Sequence, residues 1–368
     1  MTRMSTDQNA TQPAGTAGDD LVSRRAALAA AEPGLRVRDQ AERLGVSEGE
    51  LVASAVGRDG ADGARVVWLD ADIGDLIRAI ETLGPVMALT RNDHAVHEIV
   101  GTYGNVKLGA HAGLVINKPI DLRLFLKRWH AALAVEEARG DTVLRSLQFF
   151  DIHGLAMHKI YLRPDSDRAA YDALIATNRG AVQQAPAFEP APTPEPVAAT
   201  APEGFDADAF LTDWSHLADT HDFLPLLNRH NLSRPAALAL ADGRFARKLG
   251  DGAFRAALEA AARDQVRIMI FVPNPGCIQI SGGTINRVEP RGPWINILDP
   301  GFNLHVREDH IAAAWQVDKP TVDGTVTAVE LYDDRGDLFL IMVGVRETGV
   351  PELPEWRALV HALPGSAA

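Results

Sequence analysis

The residues of this 368-residue chain best able to hold a metal or act as nucleophiles are its 12 histidines and its one cysteine, Cys277. A lone cysteine forms no internal disulfide, and no CxxC pair offers a zinc or redox centre. The histidine pairs His94/His97 and His153/His158 are loosely spaced, and neither has the HExxH form that puts two ligands and a base on one helical face. They read as ordinary polar or packed residues. There is no GxSxG, no phosphate-cradling P-loop and no GxGxxG between strand and helix. Gly282-Gly283 follows a strand pattern but lacks the rest of such a fingerprint. Hydrolase, kinase and dehydrogenase chemistry therefore lose their support. His221 stands apart in Ala218-Asp-Thr-His221-Asp-Phe-Leu224 because it opens a helical pattern that Asp219 or Thr220 can cap. A helix start disfavours an imidazolium, and neutral imidazole is the form that binds a metal or haem iron. From position alone, a surface histidine in a first turn is the simpler reading.

The elements that must position these residues are organised in two halves. Gln183 to Gly204 holds six of the 22 prolines and reads as an extended connector. The implied divisions are a disordered tail over 1–20, a first unit over 21–182, the linker 183–204 and a second unit over 205–368. Three motifs recur in the same order at one offset of 182 residues: Met87 to Asn92 with Met269 to Asn274, Asp121 to Leu124 with Asn303 to Val306, and Phe150 to Gly154 with Tyr332 to Gly336. That regularity argues for duplication of a large unit. Helical spacing covers Arg36–Val56, Ile73–Leu83, Asp222–Leu249 and Ala253–Ala262. Short apolar runs predict strands at Val86–Leu89, Gly113–Ile116, Ser146–Phe150 and Ala156–Leu162 in the first half. In the second they fall at Arg267–Val272, Ile278–Ser281, Trp294–Leu298, Thr327–Leu331 and Leu338–Val343. Helices are expected at Asp121–Val135 and Arg307–Trp315. The fold class is α+β, a tandem duplication of two similar halves, each a large antiparallel sheet with flanking helices.

Composition narrows the function. With 36 basic against 49 acidic residues the net charge is −13, which disfavours a phosphate-backbone partner. Ala41-x-x-Leu-Gly45-Val-Ser47-x-x-x-Leu51 has helix-turn-helix grammar, but its second helix carries two acids and no base, so structural packing is the better account. No apolar run reaches 18 residues, and the start has no apolar core of a secretory signal. The expectation is a soluble cytoplasmic protein without a membrane span and without a nucleic-acid partner.

Taken together, the motifs resemble the HemS/HmuS/ChuS family of bacterial haem utilisation proteins. The first half contributes Thr90-Arg-Asn, Val96-His-Glu98, Gly109-Ala-His111-Ala-Gly113, Ile120-Asp-Leu-Arg-Leu-Phe-Leu126, Ser146-Leu-Gln-Phe-Phe-Asp151 and His158-Lys-Ile-Tyr161. The second contributes Asp219-Thr-His-Asp-Phe223, Asn231-Leu-Ser-Arg234, Met269-Ile-Phe-Val272, Lys319-Pro-Thr321 and Glu330-Leu-Tyr332. The similarity runs from about Gly34 to Leu363. It implies a haem held in a cleft between the halves, as cargo or substrate, in a cytoplasmic protein of haem uptake, trafficking and iron acquisition. An inner-membrane haem ABC importer and a reductase or haem oxygenase are the implied partners. Carried over, His221 would be the proximal iron ligand, reversing the reading from position alone. Arg123 would lie over the distal face and, in a haem-degrading enzyme, be its catalytic group. Arg234, Lys319 and Arg346 would stand near the propionates, and Met269 would line the pocket. Arg suits carboxylates through its bidentate fork. The chain departs from the pattern at Val343, where the family often has Tyr before Gly-x-Arg. His97 and His111 are the residues to examine for a second haem in the first half. Whether the protein carries haem or cleaves it oxidatively is left open by the sequence.

Overall fold

The computed structural model describes residues 17–58, 64–347 and 349–366. Most of the expected tail lies outside these residues, and its last four, from Ala17, already belong to a helix.

In the first half the chain forms α1 (Ala17–Ala31), α2 (Val37–Leu44), α3 (Glu48–Ala53), β1 (Ala64–Leu69) and α4 (Ile73–Ala79). The hairpin β2 (Pro85–Arg91) and β3 (Ala95–Thr102) follows, then the small strands β4 (Lys107–Leu108), β5 (Gly113–Asn117) and β6 (Ile120–Leu124). A meander of β7 (Ala131–Arg139), β8 (Thr142–Phe150) and β9 (Ala156–Leu162) leads to α5 (Arg168–Asn178). The second half repeats the order: α6 (Ala207–Ser215), α7 (Phe223–Arg229), α8 (Arg234–Leu240), β10 (Ala246–Leu249), α9 (Ala253–Arg263), β11 (Ile268–Asn274) and β12 (Cys277–Gly283). Then come β13 (Val288–Arg291), β14 (Trp294–Asp299), β15 (Phe302–Arg307), β16 (Ala313–Thr321), β17 (Gly324–Tyr332), β18 (Leu338–Gly344) and α10 (Pro354–His361).

Two nine-stranded antiparallel sheets result, and each is completed by the other half. The first sheet runs β1-β7-β8-β9-β2-β3-β15-β14-β13, and the second runs β10-β16-β17-β18-β11-β12-β6-β5-β4. Six strands of one half are thus extended by three from its twin. The exchange removes two exposed sheet edges, β3 and β12, that would otherwise carry unpaired backbone groups.

This exchange corrects the helices expected at Asp121–Val135 and Arg307–Trp315. The first stretch is β6, a short 3-10 turn at Leu126–Arg128 and the start of β7; the second holds the end of β15, a 3-10 turn at Glu308–His310 and the start of β16. In β6, Ile120, Leu122 and Leu124 alternate into the core with almost no exposure, a period of two that only sheet geometry satisfies.

Inner faces of the two sheets meet in a common core. Leu122 and Leu124 of the second sheet pack with Val86, Ala88, Leu147 and Phe149 of the first. On the mirror side, Ile295, Leu304 and Val306 pack with Ile268, Ile270 and Leu340. A related pair of asparagines clamps the centre. Asn92 donates to the carbonyls of Pro273 and Phe339, and Asn274 donates to those of Arg91 and Met157. Each also accepts the backbone N–H two and three residues on.

The helix-turn-helix-like segment is packing. Ser47 and Glu50 form a reciprocal capping box, and the Gly49 N–H donates to the Gly154 carbonyl at 2.8 Å. A Cβ at Gly49 would stand 2.7 Å from Gly154 Cα, so α3 is pressed onto the β8–β9 turn. The proline-rich stretch has no helix or strand but is tied down at several points. Gln183 donates to the Trp68 carbonyl, the Glu189 N–H to that of Ile152, and the Val197 N–H to that of Arg335.

Candidate functional site

Cross-strand partners share a face of a sheet, so register alone assembles the site. On the second sheet Lys319 lies on the face of Ala328 and Glu330, which pair with Val343 and Ile341. Those pair with Met269 and Phe271, which oppose Gly282 and Ile280. Ile280 and Ile278 then oppose Asp121 and Arg123. Lys319, Met269 and Arg123 therefore occupy one continuous face, with Arg123 two strands over from Met269 and, by register, four residues further along. The strand exchange is what brings a first-half arginine onto a second-half sheet. The two halves are thus not separate lobes: this face belongs to a sheet built from strands of both. Its middle is apolar and half-buried, with Met269, Phe271, Ile278 and Ile341 open to the outside.

One end of this face is built by α7 and α8. Phe210, Trp214, Phe223, Leu226 and Leu238 form an apolar cluster on Val317, Ala328 and Val343. Beneath it lies a buried polar group. Arg234, the first residue of α8, is bidentate to Glu330 at 2.8 and 2.5 Å, Lys319 Nζ donates to Glu330 at 2.8 Å, and the Tyr332 hydroxyl donates to it at 2.6 Å. Both cations also lie on the Phe223 ring, 5.0 and 4.8 Å from its centroid. Burial alone would push the Glu330 carboxyl up, but the two cations hold it far below the usual range. Burial lowers Lys319, partly offset by Glu330. Counting the three charges, this group is a fixed unit positive charge under the helical cap.

His221 sits in a 3-10 turn, Thr220–Asp222, leading into α7. Asp219 Oδ1 accepts the His221 backbone N–H at 2.8 Å and contacts its ring Nδ1 at 2.5 Å, while Asp222 accepts the Asp219 N–H at 3.0 Å. The imidazole is 92 % exposed and Leu224 beside it is 60 % exposed. The backbone and ring of His221, together with the Arg346 guanidinium, hold the Asp219 carboxyl below its ordinary range. That places Arg346 near this turn, and its Nε is buried without a hydrogen-bond partner. At the other end, Arg123 is ion-paired with Asp121 on the same strand.

The remaining candidates are elsewhere. His97 is wholly buried on the inner face of the first sheet against Phe302, both ring nitrogens lacking partners, and burial pulls its pKa down to about 3. His158 is equally buried, likewise pulled to about 3, and bonds Thr90 Oγ1 at 2.8 Å and the Tyr103 hydroxyl at 2.5 Å. His111 is exposed in the β4–β5 turn at the edge of the second sheet, so it shares no face with His97. His94 contacts His310 at 2.9 Å and Asp333 at 3.0 Å, tying the halves together. Sequence reasoning did not single out Glu330. Its signal was an acid flanked by Val329 and Leu331 within a strand pattern, between the basic positions Lys319 and Arg346 in the sequence.

The arrangement offers an exposed nitrogen ligand, a flat apolar platform and cations at both ends. Such a set suits a planar, metal-bearing, anionic ligand.

Comparison with known proteins agrees with this chemistry. The model of the haemin-degrading HemS.ChuX domain matches residues 45–178 and again 231–363. The hemin transport protein HmuS of Yersinia pestis is 40 % identical over 335 residues, 91 % of this chain and 94 % of that protein. The solved structure of holo-PhuS, a heme-binding protein from Pseudomonas aeruginosa, superposes with a TM-score of 0.89 at 41 % identity, covering 95 % of this chain and 99 % of the other. The heme-degrading enzyme ChuS of Escherichia coli O157:H7 superposes with a TM-score of 0.86 at 34 % identity, covering 94 % and 99 %. No helix among the described residues is long and apolar enough to cross a membrane.

Proposed function

The chain belongs to the haemin-degrading HemS.ChuX domain family, and from that premise we propose that it binds haem on the outer face of its second sheet, as cargo for haem uptake, trafficking and iron acquisition. The observation that carries this reading is the exposed His221 imidazole at the rim of an apolar face. His221 would hold the iron through its imidazole nitrogen, and Met269, Phe271 and Ile341 would offer apolar surface to the macrocycle. Covering apolar surface is worth roughly 25 cal/mol per Å² before the cost of immobilising the ligand. Arg346, with a buried unpartnered Nε, is the donor for a propionate. Two donors of Arg234 and one of Lys319 are engaged on Glu330, so these residues act chiefly through the positive charge they fix beneath the site. Arg123 must leave Asp121 to serve the distal side. In this reading the protein works in the cytoplasm and receives haem from an inner-membrane ABC importer.

Titration of the ligand-free protein with hemin tests this. The expected result is a sharp Soret band saturating at one haem per chain, weakened or shifted in His221→Ala. An unchanged spectrum in that variant removes His221 from its role.

A second reading, oxidative cleavage of the bound haem with release of iron, is favoured by Arg123, a guanidinium on the same face able to stabilise developing negative charge on the distal side. The oxidant would be dioxygen or peroxide, and the electrons would come from a reductase. Holo-protein incubated with ascorbate and catalase would lose its Soret band under this reading. Loss only without catalase identifies damage by free peroxide.

A further inference from the structure

Asp219 does more than cap a turn. An ionised carboxylate can only accept hydrogen bonds, so the contact between its Oδ1 and His221 Nδ1 at 2.5 Å requires the proton on Nδ1. The same oxygen accepts the His221 backbone N–H, and Asp222 holds the Asp219 backbone N–H. The carboxylate is therefore fixed from two sides, and the ring is fixed by it. In the neutral ring that leaves the lone pair on Nε2, on a side chain that is 92 % exposed.

We propose that Asp219 is a positioning residue for the iron ligand: it fixes the His221 tautomer and lends the imidazole anionic character, biasing the site toward ferric haem. This rests on the reading that His221 holds the iron. Outer carboxylates that accept the free N–H of a ligating histidine raise its basicity, and losing one costs about 10- to 100-fold in metal affinity. In the ligand-free chain the pair is exposed and contributes little. A macrocycle over the imidazole excludes water and strengthens the same bond. The arrangement is thus worth most once the ligand arrives, which a purely structural cap would not be. Charge economy points the same way. The single negative charge of Asp219 offsets part of the two positive charges left by the Arg234–Lys319–Glu330 group and the nearby Arg346.

The test separates charge from capping. Asn and Ser are both good helix caps and keep an acceptor for the His221 backbone N–H. Full-length Asp219→Asn and Asp219→Ser proteins, loaded with hemin, are compared with the parent by spectroelectrochemistry and by resonance Raman of the ferrous Fe–imidazole stretch. The expected result is one haem bound in each, with the ratio of ferric to ferrous affinity reduced about tenfold. That is a rise in midpoint potential of about 59 mV for one electron, with a lower stretching frequency. Potentials and stretches equal to the parent's in both variants overturn the proposal while leaving His221 as ligand. If one variant fails to fold, the other decides, and the parent's own stretch gives a third check: a frequency typical of an imidazole without an N–H acceptor overturns the proposal. An unchanged parent spectrum in His221→Ala overturns both the proposal and the reading beneath it.

Discussion

The outer faces of the two sheets are the same surface built twice, with different chemistry. At the 182-residue offset, Met87 of the first sheet stands where Met269 does in the second, and Leu89 where Phe271 does. From there the faces diverge. Lys159 replaces Ile341, Tyr161 replaces Val343, Glu98 replaces Ile280, and His305 replaces Arg123. The apolar strip of one face is a row of polar groups on the other. Under the helices the sign inverts as well. The first residue of α8, Arg234, meets Glu330 beside Lys319, whereas the first residue of α3, Glu48, pairs with Lys159 and lies close enough to Arg91 and Arg38 to feel their charge. Counting twelve residues back from the cap serines Ser233 and Ser47, His221 has Leu35 as its counterpart. Duplication preserved the clamp of Asn92 and Asn274 and the shared core. It left the outer faces free to differ, and the proposed haem site lies on one of them. Fold here is common property, and function is local.

The largest effect should come from breaking the buried ion groups. Glu330→Gln strands two buried cations and should cost about 3–5 kcal/mol, read as a fall in the urea midpoint. Glu48→Gln breaks a single ion pair, with Lys159, and should cost less. Equal losses would mean the two faces rest on equivalent electrostatics.

Acid should act next, through the core the faces share. His97 and His158 stay neutral when folded down to about pH 3, whereas the unfolded chain binds their protons near the ordinary 6.5. Their folded pKa values are depressed, so the neutral forms favour the folded chain fully above about 6.5. Stability drains as pH falls below it, by about 1.4 kcal/mol per pH unit for each. Calorimetry between pH 7 and 5 should record this fall, halved in His97→Leu. A pH-independent Tm would refute the assignment.

Smaller still is the effect of making one face resemble the other. Ile341→Lys puts the charge of Lys159 into the apolar strip and should weaken hemin binding about tenfold, some 1.4 kcal/mol, by fluorescence quenching. Arg123→Ala should change affinity only a few-fold if the iron–nitrogen bond dominates, while altering the distal ligand spectrum. A collapse of binding would make Arg123 an anchor rather than a distal group.

Much of this could be read from residue order. Repeats at one offset, the capped turn before His221 and the packing role of the Ala41–Leu51 segment all follow from local chemistry. The strand exchange does not. Whether β6 pairs with its own half or its twin's is a choice between similar edges, made by tertiary packing far along the chain. The same non-local pairing made Asp121–Val135 look helical, because three alternating leucine and isoleucine positions run into the apolar start of β7 within a few residues. The Glu330 group was hidden for a related reason. Its members lie on α8, β16 and β17, and only register shows that they touch.

Hemin stoichiometry tests the account of unequal faces most directly. A Soret titration of the full chain should break at one haem per chain, lose that break in His221→Ala, and keep it in His305→Ala on the opposite sheet. A break at two, or a single break that survives His221→Ala and disappears with His305→Ala, would contradict it.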